Sequence, residues 1–194
     1  MSVLVTGGAG LIGATIVRNL LRRGESVVSL DVTDDQQRLA DERENPLLTT
    51  LAGDIRDLDG LTSIMASTSV DRAIHLAALL VPTTEDDPAL GIAVNVTGAT
   101  NVLEAAQRQG VQRVVYPTSM AVYGDQSFYG EDVIVDEDSV RNPYNLYGHA
   151  KVMNEEVAKA YTRNFGLSTC GMRIASVFGH GRVTGRSGTR CRAP

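Results

Sequence analysis

Two residues of the chain are spaced so that they could move a proton together: Tyr147 and Lys151. They are four positions apart, so on a helix their side chains share one face. A phenol has an unperturbed pKa of about 10, and a cation beside it favours the phenolate and lowers that pKa. The pair could then exchange a proton with a substrate hydroxyl, although the same spacing is common on ordinary helices.

Ser119 gives this pair a context, because it follows an apolar run at residues 111–116 that predicts a strand. Ligands of parallel α/β sheets bind at the carboxyl ends of the strands. The sequence therefore places the Ser119 hydroxyl at the sheet edge where a ligand would lie.

A glycine-rich stretch, which reads TGGAGLIG over residues 6–13, follows the first apolar run and precedes a helical pattern. Gly7, Gly10 and Gly13 allow a tight turn and a close approach of the backbone to a pyrophosphate. The free N–H groups of the following helix attract the same anion. A plain glycine-rich turn is the alternative, but the position between a strand and a helix favours phosphate binding.

Two acids end neighbouring predicted strands. Asp31 stands 18 residues after Gly13, where a carboxylate can accept hydrogen bonds from a ribose and would repel a 2′-phosphate. This favours NAD over NADP. Asp54, after the third strand, could hydrogen-bond an adenine; taken alone, each acid is also typical of an ordinary strand end or loop.

The elements that must position these residues alternate along the chain. The apolar patterns predict strands at residues 2–5, 26–30, 47–51, 72–76, 111–116 and 167–174, and helices at 11–23, 57–66, 88–109 and 145–165, with a helical or irregular stretch at 34–44 and a polar loop at 124–142. The strands are continuously apolar, as in a sheet covered on both faces. We therefore expect an α/β fold with a doubly wound parallel sheet, Rossmann-like.

Composition narrows the class of protein. The 194 residues are 43% hydrophobic and 21% charged, which is typical of a globular domain. No apolar run could span a bilayer, and no secretory signal is evident, so we expect a cytoplasmic protein without membrane contact. Cys170 and Cys191 form no disulfide framework, and no spacing predicts a metal site. The net charge of -5 argues against nucleic-acid binding.

The last residues, 181–194, differ from the rest. They hold four arginines and no acid, with a single strong apolar residue, Val183. We expect residues 1–180 to form an NAD-binding domain and this Arg/Gly-rich tail to be disordered; a tail that binds nucleic acid or phosphate is the alternative.

Several motifs occur in the order typical of one family: TGGAGLIG at 6–13, HLAA at 75–78, NVTG at 95–98, TSMAVYG at 118–124, and Tyr147 followed by Lys151. Over about residues 2–179 the chain resembles an extended short-chain dehydrogenase/reductase of the NAD-dependent epimerase/dehydratase family, nucleotide-sugar epimerases in particular. The resemblance implies that Tyr147 is the catalytic acid or base. It implies that Lys151 lowers the pKa of Tyr147 and holds the nicotinamide ribose, and that Ser119 orients the substrate oxygen. Besides the three glycines, the positions that resemble cofactor contacts are Leu11, Ile12, Asp31, Asp54, Ile55, Leu76, Ala77, Ala78 and Asn95.

The implied reaction is hydride transfer between a sugar or nucleotide-sugar carbon and NAD. Dehydratases of this family carry an Asp-Glu pair where this chain has Met120 and Ala121, so an epimerase or dehydrogenase is favoured. Family members are longer, and we expect a C-terminally truncated chain whose substrate lobe is largely missing. The alternatives are a non-catalytic NAD-binding module, an impaired enzyme, or an interaction protein. The helices over residues 88–109 and 145–165 resemble the family's dimer interface, which implies a homodimer; they could equally serve only to cover the sheet.

Overall fold

The computed structural model describes residues 1–33 and 36–177, which form one sheet with helices on both faces. The six strands are β1 (Ser2–Thr6), β2 (Val27–Asp31), β3 (Leu48–Ala52), β4 (Val70–His75), β5 (Arg113–Ser119) and β6 (Ser168–Ile174). They are all parallel and lie in the order β3-β2-β1-β4-β5-β6. This is the strand order of doubly wound dinucleotide-binding sheets, and it confirms the predicted fold.

The helices and the π-helical segment follow the strands in alternation. They are α1 (Leu11–Arg22), α2 (Leu58–Ser67), α3 (Thr83–Asp86), α4 (Pro88–Ile92), the π segment (Ala93–Gly98), α5 (Ala99–Arg108) and α6 (Leu146–Phe165). Short 3-10 turns occur at Gln37–Glu42, Met120–Val122 and Gln126–Phe128. In the described part of the chain, no helix has the length and apolarity needed to cross a membrane.

Two apolar layers hold the sheet between the helices. On one face, Val3 and Val5 of β1 pack with Val17 and Leu21 of α1. On the other face the core combines β-strand residues with α2, α5 and α6, as in the cluster of Leu4, Leu30, Leu61, Met65, Val102, Val114 and Ala158. All five residues of β1 are buried. Burial on both faces explains why β1 has a continuous apolar run instead of an alternating pattern. The expectation of continuously apolar strands is wrong for the edge strands β3 and β6, which contain polar residues and are largely exposed or half-buried because each has a neighbour on one side only.

Caps fix the start of α6, the helix that carries Tyr147 and Lys151. The Asn145 side chain accepts a hydrogen bond from the Gly148 amide at 2.8 Å, which satisfies one of the free N–H groups of the first turn. The helix ends at Gly166, whose φ of 72° is the left-handed conformation that glycine adopts most easily. Leu146–Phe165 thus confirms the helix predicted at residues 145–165.

The structure departs from the predicted elements in three places. The helix predicted at residues 88–109 contains the π segment, and α3 precedes it unpredicted. Strand β5 continues to Ser119, so this residue ends the strand instead of following it. The tail at residues 181–194 lies outside the described residues.

Candidate active site

The glycine-rich turn leads from β1 into α1 without a side-chain cap. Gly7 has a φ of 70°, and the Gly10 amide donates to the Gly7 carbonyl at 3.1 Å, which closes the turn. A Cβ on Gly13 would lie 2.1 Å from the Gly7 carbonyl oxygen, so only glycine fits there. Gly10, at the N-cap, offers no side chain, and the first turn of α1 holds no acid. The turn therefore presents unobstructed backbone amides that suit an anion.

Thr6 joins this turn to the loop after β4. Its hydroxyl oxygen accepts from the amides of Leu76 at 3.2 Å and Ala77 at 3.3 Å. The Thr6 oxygen also lies 2.7 Å from His75 Nδ1, which leaves the hydroxyl proton for the histidine nitrogen. Burial, and secondarily the charge of Lys151, lowers the pKa of His75 to about 3, so the ring is neutral. Thr6 thus holds the predicted contacts Leu76 and Ala77 against the glycine turn; it was missed because a strand-end threonine has no distinctive pattern.

The two predicted acids have different partners. The Asp31 carboxylate accepts from the Ala9 amide at 3.0 Å, which places it against the glycine turn. Its other oxygen accepts from the Val32 amide at 2.9 Å. Asp54 instead forms hydrogen bonds with Arg56 Nε at 3.0 and 2.9 Å, and these lower the pKa of the Asp54 carboxyl. The structure therefore brings Asp31 to the turn and leaves Asp54 at the end of the next strand, beside buried Ile55.

Asn95, in the π segment, is buried, and its side chain makes two hydrogen bonds to the backbone of one residue, Leu79. Its side-chain oxygen accepts from the Leu79 amide and its side-chain nitrogen donates to the Leu79 carbonyl, both at 2.8 Å. Its own carbonyl accepts from the Asn154 side chain of α6 at 2.8 Å. The Asn95 side chain therefore fixes the loop that carries the predicted contact Ala78, and it does so from a π segment, a geometry frequent at functional sites.

Ser119, Tyr147 and Lys151 come together where β5 ends against α6. The Ser119 side chain interacts with the Tyr147 phenol and lowers the pKa of that phenol. Lys151 Nζ lies 5.4 Å from the centre of the Tyr147 ring and donates to the Pro117 carbonyl at 3.2 Å. Lys151 is only 3% exposed. The predicted acid–base group is thus assembled in space.

The pKa values of Tyr147 and Lys151 are shifted mainly by burial, which differs from the expectation that the lysine charge would dominate. Burial raises the pKa of Tyr147, and the interaction with the Ser119 side chain opposes it. Burial also lowers the pKa of Lys151 to about 8. The expectation that Lys151 sets the phenol pKa below its usual value is therefore wrong for this arrangement, because the ammonium bonds to the Pro117 carbonyl and faces the ring.

Glu155, a further buried acid that sequence reasoning missed, lies one turn beyond Lys151. Its carboxylate accepts from Thr118 Oγ1 at 2.7 Å, from Arg173 at 2.9 and 2.8 Å, and from Arg141 at 3.0 Å. Burial opposes ionisation, but hydrogen bonds from Arg173, Thr118 and Arg141 lower the pKa of Glu155 to about 2. The i, i+4, i+8 spacing of Tyr147, Lys151 and Glu155 on one helix face was the available clue.

Comparison with known proteins gives a family match. The chain matches the family model described as the NAD dependent epimerase/dehydratase family over residues 3–192, which extends further than the resemblance over residues 2–179. It is 36% identical over 188 residues to a 3 beta-hydroxysteroid dehydrogenase/Delta 5→4-isomerase of Mycobacterium tuberculosis, covering 94% of this chain and 48% of the relative. It is 33% identical over 181 residues to a putative UDP-glucose 4-epimerase of Methanocaldococcus jannaschii, covering 91% and 56%.

Solved structures agree with this match. A UDP-glucose 4-epimerase of Thermus thermophilus in complex with NAD superposes with a TM-score of 0.79 at 32% identity, covering 89% of this chain and 54% of that one. A dTDP-glucose 4,6-dehydratase of Streptomyces venezuelae with bound NAD gives a TM-score of 0.80 at 32% identity, covering 89% and 55%. The chain spans about half the length of the curated relatives it matches.

Proposed function

Because the chain belongs to the NAD dependent epimerase/dehydratase family, we propose that it transfers hydride between NAD and the carbon of a substrate hydroxyl group, with Tyr147 moving the hydroxyl proton. The observation that carries this proposal is the meeting of Ser119, Tyr147 and Lys151 at the sheet edge that also bears the glycine turn. The glycine turn or the Ser119, Tyr147 and Lys151 group could each serve only the fold. A phosphate-binding turn and an acid–base group at the same sheet edge together favour an oxidoreductase site.

The residues at the turn fit a dinucleotide. A pyrophosphate would lie against the amides of Leu11, Ile12 and Gly13, where any Cβ on Gly13 would collide with the backbone. Asp31 would accept from the adenosine ribose hydroxyls, and the carboxylate would repel the extra phosphate of NADP. Asp54, Ile55 and the segment from Leu76 to Ala78 would border the rest of the cofactor. When bound, NAD supplies the acceptor or donor of the hydride.

The side chains of the chain itself perform the proton transfer in this proposal. A phenol whose pKa is raised is protonated at neutral pH, so Tyr147 can donate its proton to a carbonyl oxygen in the reducing direction. In the oxidising direction the phenol must first ionise. The interaction with the Ser119 side chain favours that phenolate. The oxidising reaction should therefore quicken as pH rises.

Sugars and nucleotide sugars are the proposed substrates. Support comes from relatives named UDP-glucose 4-epimerase and from the solved structures that carry the same name. Met120 and Ala121 follow Ser119 directly, so these two positions offer no acid–base group for eliminating water. We therefore favour epimerisation or simple dehydrogenation over dehydration.

A second candidate is the oxidation of an apolar secondary alcohol. The Mycobacterium tuberculosis relative is named as a 3 beta-hydroxysteroid dehydrogenase. In this chain the side chain next to Ser119, Met120, is 44% exposed, and it would offer an apolar contact to a ring system. A 3β-hydroxysteroid therefore belongs among the substrates to be tried.

The test is a substrate panel on the purified 194-residue chain. The protein is incubated with NAD and free sugars, UDP-sugars, dTDP-sugars or a 3β-hydroxysteroid, and both NADH and epimeric products are followed. We expect Tyr147→Phe to abolish turnover, because the phenol proton is lost, while calorimetry gives an NAD affinity within about twofold of the parent. Equal activity in parent and variant would contradict the proposal. NAD binding with no turnover of any substrate would favour the non-catalytic module.

We also propose a homodimer formed through the helices over residues 88–109 and through α6. Ile92, Met153 and Phe165 lie on α4 and α6 and are 42%, 50% and 57% exposed. Apolar side chains exposed along neighbouring helices are typical of an interface. A single monomeric species in light scattering at micromolar concentration would contradict this proposal.

A further inference from the structure

Three consecutive residues at the end of β5 each contact a different residue on one face of α6. The Pro117 carbonyl accepts from Lys151 Nζ at 3.2 Å, and the Thr118 hydroxyl donates to Glu155 at 2.7 Å. The Ser119 side chain interacts with the Tyr147 phenol, whose pKa it lowers. Two of the three contacts involve the proposed acid–base group, and the contact between Thr118 and Glu155 stands beside them.

We propose that Glu155 is a positioning residue of this site, which holds the strand end bearing Ser119 in register with the helix face bearing Tyr147. This inference rests on the proposed function, because it assigns Glu155 a part in placing the group that moves the proton. Glu155 itself touches neither the Tyr147 phenol nor the Ser119 hydroxyl through any bond in the described residues.

The partners of Glu155 explain how one side chain can hold this register. Arg173 of β6 grips both carboxylate oxygens in a bidentate pair at 2.9 and 2.8 Å, and Arg141 reaches one of them from the loop before α6. Arg173 also stacks on the Tyr123 ring, with 5.0 Å between guanidinium and ring centre. The carboxylate is therefore fixed from β5, β6 and the loop at once, and bidentate pairs restrict geometry more than single contacts.

The charge of Glu155 is needed for this arrangement. The residue is 5% exposed, and its carboxylate is paired with two guanidinium groups. A neutral amide of the same shape would leave one nitrogen facing Arg173 and would break the bidentate pair. We expect Thr118 to lose its fixed acceptor as a result, and the neighbouring Ser119 hydroxyl to move relative to the Tyr147 phenol.

Ionisation of Tyr147 reports this movement. The interaction with the Ser119 side chain lowers the phenol pKa, so a weakened interaction raises it. Lys151 on α6 lies 5.4 Å from the centre of the Tyr147 ring, and its charge acts on His75 at the end of β4. Glu85 of α3 accepts from the amide of Leu146, the residue before Tyr147, at 3.0 Å. None of these three is bonded to Glu155, so a change in the phenol titration on altering Glu155 is attributed to Ser119.

The experiment compares Glu155→Gln, Thr118→Val and the control Glu156→Gln in the full chain. Glu156 is the adjacent residue and also pairs with Arg141, at 2.8 Å, but its side chain is half exposed and its other ion pair, at 3.0 Å, is with Lys159 on α6 itself. Tyr147 ionisation is followed by ultraviolet difference spectroscopy against the same variants carrying Tyr147→Phe. Turnover and NAD affinity are measured in parallel.

We expect Glu155→Gln and Thr118→Val to raise the Tyr147 titration midpoint by about half a pH unit or more. We expect kcat to fall about tenfold, with the NAD dissociation constant within twofold of the parent. Glu156→Gln should change none of these quantities. Thr118→Val keeps the ion pair intact and so keeps the test usable if Glu155→Gln does not fold.

An unchanged midpoint in folded Glu155→Gln and Thr118→Val would overturn the inference, even if thermal stability fell. The titration needs no substrate, so it separates this outcome from failure of the proposed function. Failure of the proposed function would be seen as a parent protein that turns over no substrate.

Discussion

At the scale of single residues, Asp31 ties cofactor choice to the conformation of the glycine turn. One oxygen accepts from the Ala9 amide at 3.0 Å, and the carboxylate charge stands at the carboxyl end of β2. We expect Asp31→Ala to weaken NAD binding about tenfold or more, because a charged hydrogen-bond acceptor is removed. The ratio of NAD to NADP affinity should fall as well, because the repulsion of a 2′-phosphate is removed. Calorimetric titration with both dinucleotides measures the two effects.

A matched control for this prediction is Asp41→Ala. The Asp41 side chain is 88% exposed and lies 3.9 Å from Arg18, away from the turn. The Asp41→Ala variant removes the same charge from the protein without changing the turn. It therefore corrects for the effect of net charge on dinucleotide binding. An NAD/NADP preference that is the same in Asp31→Ala and Asp41→Ala would refute the ribose contact.

The burial of Lys151 has two opposing consequences for its use as a cation. It lowers the pKa of the Lys151 side chain to about 8 and so reduces the fraction that is charged at alkaline pH. The buried position also brings the ammonium to the Tyr147 ring and to the Pro117 carbonyl, where its charge would be used. The sequence spacing predicted that the two side chains share a helix face, but the desolvation that dominates both pKa values depends on packing, which the spacing does not contain.

At the scale of elements, the turn between β1 and α1 depends on the absence of side chains. A Cβ on Gly13 would lie 2.1 Å from the Gly7 carbonyl and 2.8 Å from the Gly8 Cα, and both are backbone atoms that cannot rotate away. We expect Gly13→Ala to displace the start of α1, to abolish measurable NAD binding, and to lower the free energy of unfolding by about 1–3 kcal/mol. Calorimetry and urea unfolding measure the two quantities.

Thr15→Ala on the same helix is the control for Gly13→Ala. Thr15 is exposed, and its hydroxyl donates to the Leu11 carbonyl one turn back, at 3.0 Å. This variant changes α1 without adding an atom to the turn, so NAD binding should persist. Parental NAD affinity in Gly13→Ala would show that the turn does not need this glycine.

Periodic apolar elements could be predicted from the sequence, and irregular ones could not. Helix α6 was predictable because Asn145 and Gly166 mark its ends and apolar residues repeat along it. The π segment has no such marker, since its bonding follows from the contact of Asn95 with Leu79, 16 residues earlier. Helix α3 has only four residues, too short for a period to be evident. Glu155 was missed because its partners come from β5, β6 and a loop, and only tertiary packing brings them together.

At the scale of the whole molecule, the strand order explains why distant residues form one site. The two halves of the sheet meet between β1 and β4, and the chain reverses its direction of winding there. The glycine turn follows β1, and the acid–base group lies at the end of β5, so both open on the carboxyl edge of the sheet. Fold and site are therefore consequences of the same topology.

The whole molecule should also lose stability in mild acid because of His75. The neutral ring is buried and bonded to Thr6, and its pKa is lowered from 6.5 to about 3. Below pH 6.5 the unfolded chain takes up a proton that the folded chain does not, so the free energy of unfolding falls as pH falls from about 6.5 toward 3. The slope from this group approaches about 1.4 kcal/mol per pH unit. Urea unfolding at a series of pH values measures it.

His75→Asn should remove this dependence, because the asparagine oxygen can still accept from Thr6 but does not titrate. Whatever the stability of the variant at pH 7, the diagnostic quantity is the change in its free energy of unfolding between pH 7 and pH 5. Glu155, whose pKa falls from 4.5 to about 2, contributes its own loss only below about pH 4.5, so it does not enter this window. His149→Asn, at an exposed helix position, is the control and should keep the parental slope. A slope in His75→Asn equal to that of His149→Asn would mean that another group governs stability in mild acid.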